Sequence, residues 1–114
     1  MRGRIIISKF WTSFFSGGKA RAVTIFPFIF VLRKAYAQEE ALINHERIHL
    51  MQALELLVIP FYLWYVIEFF LRFLYYRDFT RAYLNISFER EAYRHENNMS
   101  YRKTRKCWAF WHYL

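Results

Sequence analysis

The chain has 114 residues, enough for one domain with its own core but few elements for building two lobes about a cleft. Its single cysteine, Cys107, rules out an intramolecular disulfide, so no covalent cross-link ties the fold to an oxidising compartment. A net charge of +8 favours polyanionic surfaces as partners, and a 23% share of aromatic residues suits either a packed core or a membrane interface.

Met1-Arg2-Gly3-Arg4 ahead of Ile5-Ile6-Ile7 imitates the start of a signal peptide, but Lys9 breaks the apolar stretch and no cleavage is expected. Ser16-Gly17-Gly18-Lys19 is the clearest loop. Residues 22–32 are rich in β-branched and aromatic side chains and predict a short strand, which Pro27 confines to an edge or a bend.

A helix is expected from about 37 to 58, because Gln38-Glu39-Glu40-Ala41-Leu42 are helix formers with acid at the start and no Gly or Pro intervenes before Pro60. Within it stands His45-Glu46-Arg47-Ile48-His49, two imidazoles one turn apart with a carboxylate between them. At 100° per residue, Leu42, His45, Glu46, His49, Gln52, Ala53 and Leu56 share one face, with Asn44, Arg47, Met51 and Glu55 opposite. One inward histidine reads as a hydrogen-bonded core residue. Two of them flanking an inward glutamate read as a metal site, since three buried polar groups are costly without a shared partner. Zinc accepts neutral imidazoles and a catalytic site needs three protein ligands, so a third must come from elsewhere. Glu55 is not that ligand: the extended HExxHxxGxxH arrangement needs a glycine turn, and Gln52-Ala53-Leu54 continues the helix.

Leu56 to Leu71 is a sixteen-residue apolar run interrupted by Glu68 and bent at Pro60. It falls short of the ~20 residues that span hydrocarbon, unless Glu68 and Arg72 pair one turn apart. An in-plane, membrane-associating helical segment over about 56–76 fits better, with Arg72, Arg77 and Arg81 reaching anionic head groups; the alternative is a core helix of a soluble domain. Asp78-Phe79-Thr80 marks a turn.

A second helix is expected from the N-cap Asn85 to about Met99. Its wheel centres Glu89 on an apolar arc with Ile86, Phe88, Ala92 and Tyr93, and sends Glu91 to solvent with Ser87, Arg90 and Arg94. A carboxylate on an apolar face needs a cation, which makes Glu89 the third ligand, or, in the plainer reading, the partner of an arginine. Glu96 either orients a ligand or turns outward at the helix end. Tyr93, with His95 as the less well placed alternative, is the candidate to stabilise an oxyanion. Near the C-terminus, Arg102-Lys103-Thr104-Arg105-Lys106 beside Cys107-Trp108-Ala109-Phe110-Trp111 suits a membrane surface, a solvated tail or nucleic acid, in that order; no specific nucleic-acid motif accompanies it.

HExxH on one helix and Glu89-Arg90-Glu91-Ala92 on a later one resemble the gluzincin class of zinc metallopeptidases. More closely, Asn44 to Gln52 together with Phe88 to Tyr93 is similar to a group of small bacterial, membrane-associated HExxH proteins, from about residue 22 onward. The resemblance implies His45, His49 and Glu89 as Zn2+ ligands, Glu46 as the catalytic carboxylate, a peptide or protein substrate, and a place at the inner membrane. In gluzincin-like enzymes a strand near the zinc aligns the peptide, a role open to residues 22–32 alongside ordinary core support. The chain departs from the pattern at Tyr93, where gluzincins often carry Asp.

The expectation is therefore a mainly α (α+β) protein, a single zincin-like domain over 1–114. It has three or four packed helices, one short N-terminal β element or edge strand, and a metallopeptidase site. Two other readings remain: a non-catalytic zinc-stabilised membrane or interaction module, and a helical membrane protein whose HExxH is accidental.

Overall fold

A computed structural model describes residues 3–114; Met1 and Arg2, the head of the signal-like segment, lie outside the described residues. In chain order they form β1 (Arg4–Ile7), α1 (Lys9–Ser16), β2 (Ala22–Ile25), β3 (Phe28–Val31), a 3-10 turn (Lys34–Gln38), α2 (Glu40–Glu55), α3 (Ile59–Tyr76), α4 (Phe79–Leu84), α5 (Ser87–His95), α6 (Tyr101–Thr104) and a closing 3-10 turn (Ala109–Tyr113). The mainly helical α+β class holds, with more and shorter helices than expected. The strand expected over 22–32 is a hairpin: the chain turns at Phe26-Pro27, and β3 pairs antiparallel with β2 and parallel with β1 in the order β1-β3-β2. Pro27 thus marks the bend, where no ladder donor is needed.

Helix α1 has no counterpart in the expected elements. Ser8 starts it by accepting the Trp11 amide at 3.1 Å, and Gly17 ends it in the left-handed region at φ 65°, donating to Ser13 O. The paired glycines follow because that conformation penalises a Cβ.

Helix α2 stops at Glu55, and the chain swings through 113° into α3. Leu57 and Val58 carry that corner at φ 61° and 65°, a strained backbone for a leucine and a β-branched residue; Val58 N bonds back to Ala53 O at 2.7 Å. Pro60 sits in the first turn of α3, where a missing N–H costs nothing. No single helix among the described residues is long and apolar enough to cross a membrane.

Two apolar clusters hold the layers together. Ala53, Leu56, Phe61, Ile86, Phe88 and Phe110 join α2, α3, α5 and the C-terminal turn, while Ala22, Ile29, Val31, Ile43 and Leu50 join the sheet to α2. Phe88 is fully buried between Phe61 at 4.6 Å and Phe110 at 4.7 Å between ring centres, a burial that contributes about 1.5–3 kcal/mol. Tyr62 of α3 pins the hairpin: its hydroxyl accepts from Phe26 N at 2.8 Å and donates to Thr24 O at 3.2 Å. Those two backbone groups at the β2 edge are thus already paired.

Three side chains that the helical wheels set away from the apolar faces, Glu91, Ser87 and Asn44, are in fact buried. Glu91 is fully buried: Arg105 grips it through Nε and through Nη2 at 3.0 Å, Tyr101 donates its hydroxyl at 2.7 Å and Gln52 its amide at 2.9 Å. Arg105 also reaches Glu55 at 2.8 Å, with a side chain wholly shielded from solvent. Asn44 donates to the carbonyls of His95, Glu96 and Asn98 and accepts from Arg102 Nε at 3.0 Å. The wheel failed for Glu91 and Asn44 because the chain after α5 folds back over these faces, and the basic stretch 102–106 spends two of its arginines inside the fold instead of on a surface.

Breaking this buried pair from one side leaves a charge uncompensated. Glu91→Ala should lower unfolding stability by about 3–5 kcal/mol in urea melts. Glu39→Ala, which removes only the exposed bridge to Arg21, should cost less than about 1 kcal/mol.

Candidate metal centre

The spacing of His45 and His49 puts both rings on the α2 face that meets α5, and Glu89 in the first turn of α5 comes to them from the other side. His45 Nε2 lies 3.0 Å from Glu89 Oε1, His49 Nε2 lies 3.1 Å from Glu89 Oε2, and the two Nε2 atoms are 3.1 Å apart. Ala92, one turn beyond Glu89, is fully buried and small, so no bulk holds the helices apart there.

The outer ring nitrogens settle what the inner ones offer. His45 Nδ1 is 2.8 Å from Glu96 Oε1, and His49 Nδ1 is 2.8 Å from Gln52 Oε1. The Gln52 amide is oriented by its own donors, which reach Phe88 O at 3.1 Å and Glu91 Oε1 at 2.9 Å, so its oxygen faces the histidine. Each Nδ1 therefore carries hydrogen, and Nε2 is the ring nitrogen left to take up a proton or a metal. Two lone pairs and a carboxylate meet in a triangle about 3 Å on a side, an arrangement that repels itself unless a cation is shared. The donor atoms of a tetrahedral zinc stand about 3.3 Å apart, so the triangle already has nearly the required size.

Protonation behaves accordingly. Burial opposes charge on His49, but the Glu89 carboxylate beside it prevails and raises the ring to about 9. Burial likewise works against the Glu89 carboxylate, and the two histidines override it, holding Glu89 far below the ordinary carboxylate range. Without a metal, the shared cation is a proton.

Glu46 stands apart from the triangle. Its Oε1 accepts the Thr24 hydroxyl at 3.0 Å, and its Oε2 lies 3.8 Å from His45 Nε2. Thr24 also donates to Glu46 O at 3.1 Å, which locks β2 to this turn of α2. Tyr93 packs its ring edge-on to His45 at 4.3 Å between ring centres, half-exposed, with its hydroxyl 3.1 Å from that of Tyr83. Burial first, and the Glu89 charge with it, raises both phenols above their ordinary values, for Tyr93 against the opposing hydrogen bond with Tyr83, so both keep their protons at neutral pH. His95 turns away: it stacks on Tyr101 and meets the Tyr113 hydroxyl at 2.8 Å. Glu55 belongs to Arg105.

Four contributors escaped the sequence reading: Thr24 beside Glu46, Tyr83 beside Tyr93, Tyr65 and Gln52. Tyr65 of α3 donates to Glu89 Oε2 at 2.6 Å, and its hydroxyl is kept protonated first by burial and then by the Glu89 charge. Within an aromatic run its hydroxyl carried no distinguishing signal. Gln52 shared the histidine face, and its place three residues after His49 was the available clue.

No family model matches the chain, and neither does any curated protein or solved structure. The reading of this cluster rests on its side chains.

About one zinc per chain should bind, and His45→Ala, His49→Ala or Glu89→Ala should abolish it in elemental analysis. Because His49 is protonated below about pH 9, zinc must displace that proton. Affinity should therefore fall roughly tenfold per unit as pH drops below that value, and calorimetry in buffers of different ionisation enthalpy should register about one proton released near neutrality. Tyr65→Phe should weaken zinc binding by about 10–100-fold in a competition titration without unfolding the chain, since it removes one hydrogen bond to Glu89 and nothing from the ligand set.

Proposed function

We propose that this protein is a zinc-dependent peptide hydrolase working at a membrane surface. One observation carries the reading: two Nε2 lone pairs and the Glu89 carboxylate converge, while a second carboxylate, Glu46, stands beside the triangle without joining it. That division of ligands from proton carrier argues against an accidental HExxH. His45, His49 and Glu89 would hold the metal, which when bound supplies Lewis acidity, acidifying a water and polarising a carbonyl.

The chain's own groups carry the remaining steps. Glu46 takes the proton of the attacking water and returns it to the departing amine, with Thr24 fixing one of its oxygens so that the other serves the reaction. Tyr93, and Tyr83 through it, donate hydrogen bonds where negative charge develops on the carbonyl oxygen. Glu96 and Gln52 hold the imidazoles in the tautomer that binds metal, and Tyr65 steadies Glu89. Helix α3, whose outer face is apolar along its length, supports the membrane-surface location.

A second reading has one observation in its favour. The side chains of His45, Glu46, His49 and Glu89 are only 4–7% exposed, which suits a zinc-stabilised module in which metal binding serves as folding energy.

Glu46→Gln separates the two. The variant should keep its zinc and its helicity while losing peptide cleavage by about 10²-fold or more, measured against a peptide library that includes membrane-protein segments. Wild-type chain that binds zinc and cleaves nothing in that library would establish the module instead, and loss of zinc from Glu46→Gln would overturn the assigned roles.

A further inference from the structure

Helix α1 is built inside out. The one residue it buries is Thr12, while Phe10 and Phe14 are 67% and 65% exposed and Trp11 and Phe15 remain largely outside. The rings order themselves on this outer surface: Phe10 stacks with Phe14 and Trp11 with Phe15, and Phe15 leans on Phe30 of the sheet. Phe10 and Phe14 gain little within the fold, so their side of the ring cluster points to something outside it.

Helix α3 has the same character. Its outer face shows Leu63, Ile67, Phe70, Leu71 and Leu74, with Phe70 and Leu74 59% and 62% exposed. Glu68, which interrupts the run in the sequence, does not interrupt this face. It is drawn inward to Ser87, whose amide and hydroxyl both donate to it at 2.6 Å. The two helices are linked indirectly: in the glycine turn after α1, Lys19 Nζ sits 4.3 Å from the ring centre of Phe79 at the start of α4, and Phe79 packs on Phe69 of α3 at 5.1 Å.

Charge selects the occupant. No carboxylate precedes Glu39, and between Glu55 and Asp78 the only one is Glu68, which is buried. Over the same segments the chain displays Lys9 and Lys19 around α1 and Arg77 beyond α3, all exposed. Exposed rings and aliphatics bordered by Lys9, Lys19 and Arg77, with Asp78 at the end of α3 as the one exposed acid in these stretches, match the headgroup boundary of an anionic bilayer, where apolar side chains enter the acyl region and cations stay with the lipid phosphates.

We propose that α1 is a second membrane anchor, which together with the outer face of α3 forms one docking surface for anionic lipid. The inference rests on the membrane-surface reading given for α3 and adds α1 to it. Both helices lie flat on the interface, and Lys9 and Lys19 supply its electrostatic part, which salt weakens.

The test is flotation of the full-length chain with phosphatidylcholine vesicles, with and without phosphatidylglycerol. Wild type should float with the anionic vesicles and about tenfold less with the neutral ones. Phe10→Ser/Phe14→Ser should lower anionic binding about tenfold or more, and so should Phe70→Ser/Leu74→Ser, with helicity and zinc content unchanged because all four side chains are mainly exposed. As a check independent of those losses, an environment-sensitive dye on Phe14→Cys, in a Cys107→Ser background, should shift to the blue on addition of anionic vesicles and not of neutral ones. If the α1 double variant floats like wild type and the dye does not shift, while the α3 variant is lost, the α1 inference is overturned and the membrane reading stands on α3 alone. If wild type floats with neither vesicle, both fail. A stable wild-type dimer in sedimentation velocity, dissociated by the α1 variant and accompanied by no flotation, would assign the face to a second copy of the chain and overturn the proposal.

Discussion

Three electron-rich groups, the Nε2 atoms of His45 and His49 and the carboxylate of Glu89, are held about 3 Å apart in a place nearly closed to water. Left alone they repel, and in a low-dielectric setting that repulsion is large. Much of the surrounding structure exists to make the arrangement bearable. Glu96 and Gln52 fix the ring orientations, Tyr65 shares the negative charge of Glu89, and the second cluster of Glu91, Arg105 and Glu55 orients Gln52 from behind. A cation at the centre turns this network from a burden into a source of stability.

The same bracing couples distant parts of the chain. Gln52 joins α2 to α5, Tyr65 joins α3 to α5, Thr24 ties the hairpin to α2, and Arg105 draws the C-terminal segment across α2 and α5. A domain of this size has a limited apolar core, and here polar contacts between elements complement the Phe88 and Ile29 clusters. Charged residues that composition would count as surface are consumed in this way, so the nominal net charge of +8 understates how unevenly the exposed charge is distributed. Glu46, Glu68, Glu89 and Glu91 are gathered inside between the helices while Glu39, Glu40 and Asp78 stay exposed, and Lys9, Lys19 and Arg77 border the exposed apolar helices.

That distribution inverts the usual pattern of a small domain. Buried Asn44, Glu46, Gln52, Glu68, Glu89 and Glu91 sit within, while phenylalanines and leucines of α1 and α3 sit outside. Most buried polar groups find partners, with Thr12 Oγ1 and Glu55 Oε1 as exceptions among the described residues, and extended exposed apolar faces are the kind that an apolar medium can cover. The buried polar groups surround the proposed metal centre, and the exposed apolar ones make up the proposed interface.

Local rules read the convergence of His45, His49 and Glu89 well. The HExxH spacing places its side chains on one face whatever the rest of the chain does, because 3.6 residues per turn is a property of the backbone, and the apolar arc around Glu89 identified a carboxylate that needed a cation. Pro27 marked a bend and the acid-led stretch at Glu39 and Glu40 marked a helix start, again from backbone chemistry alone. Tertiary structure decided what a wheel cannot express. Glu91, Ser87 and Asn44 lie opposite the apolar arc or the histidine face yet are buried, because a later segment and a neighbouring helix cover a side that periodicity assigns to water. Tyr65 became a partner of Glu89, and Glu68 a partner of Ser87, only when α3 crossed α5. A sequence specifies which groups share a face of one helix; which faces meet depends on the corners between helices, such as the strained turn at Leu57 and Val58, whose angle no pattern of residues along a single helix encodes.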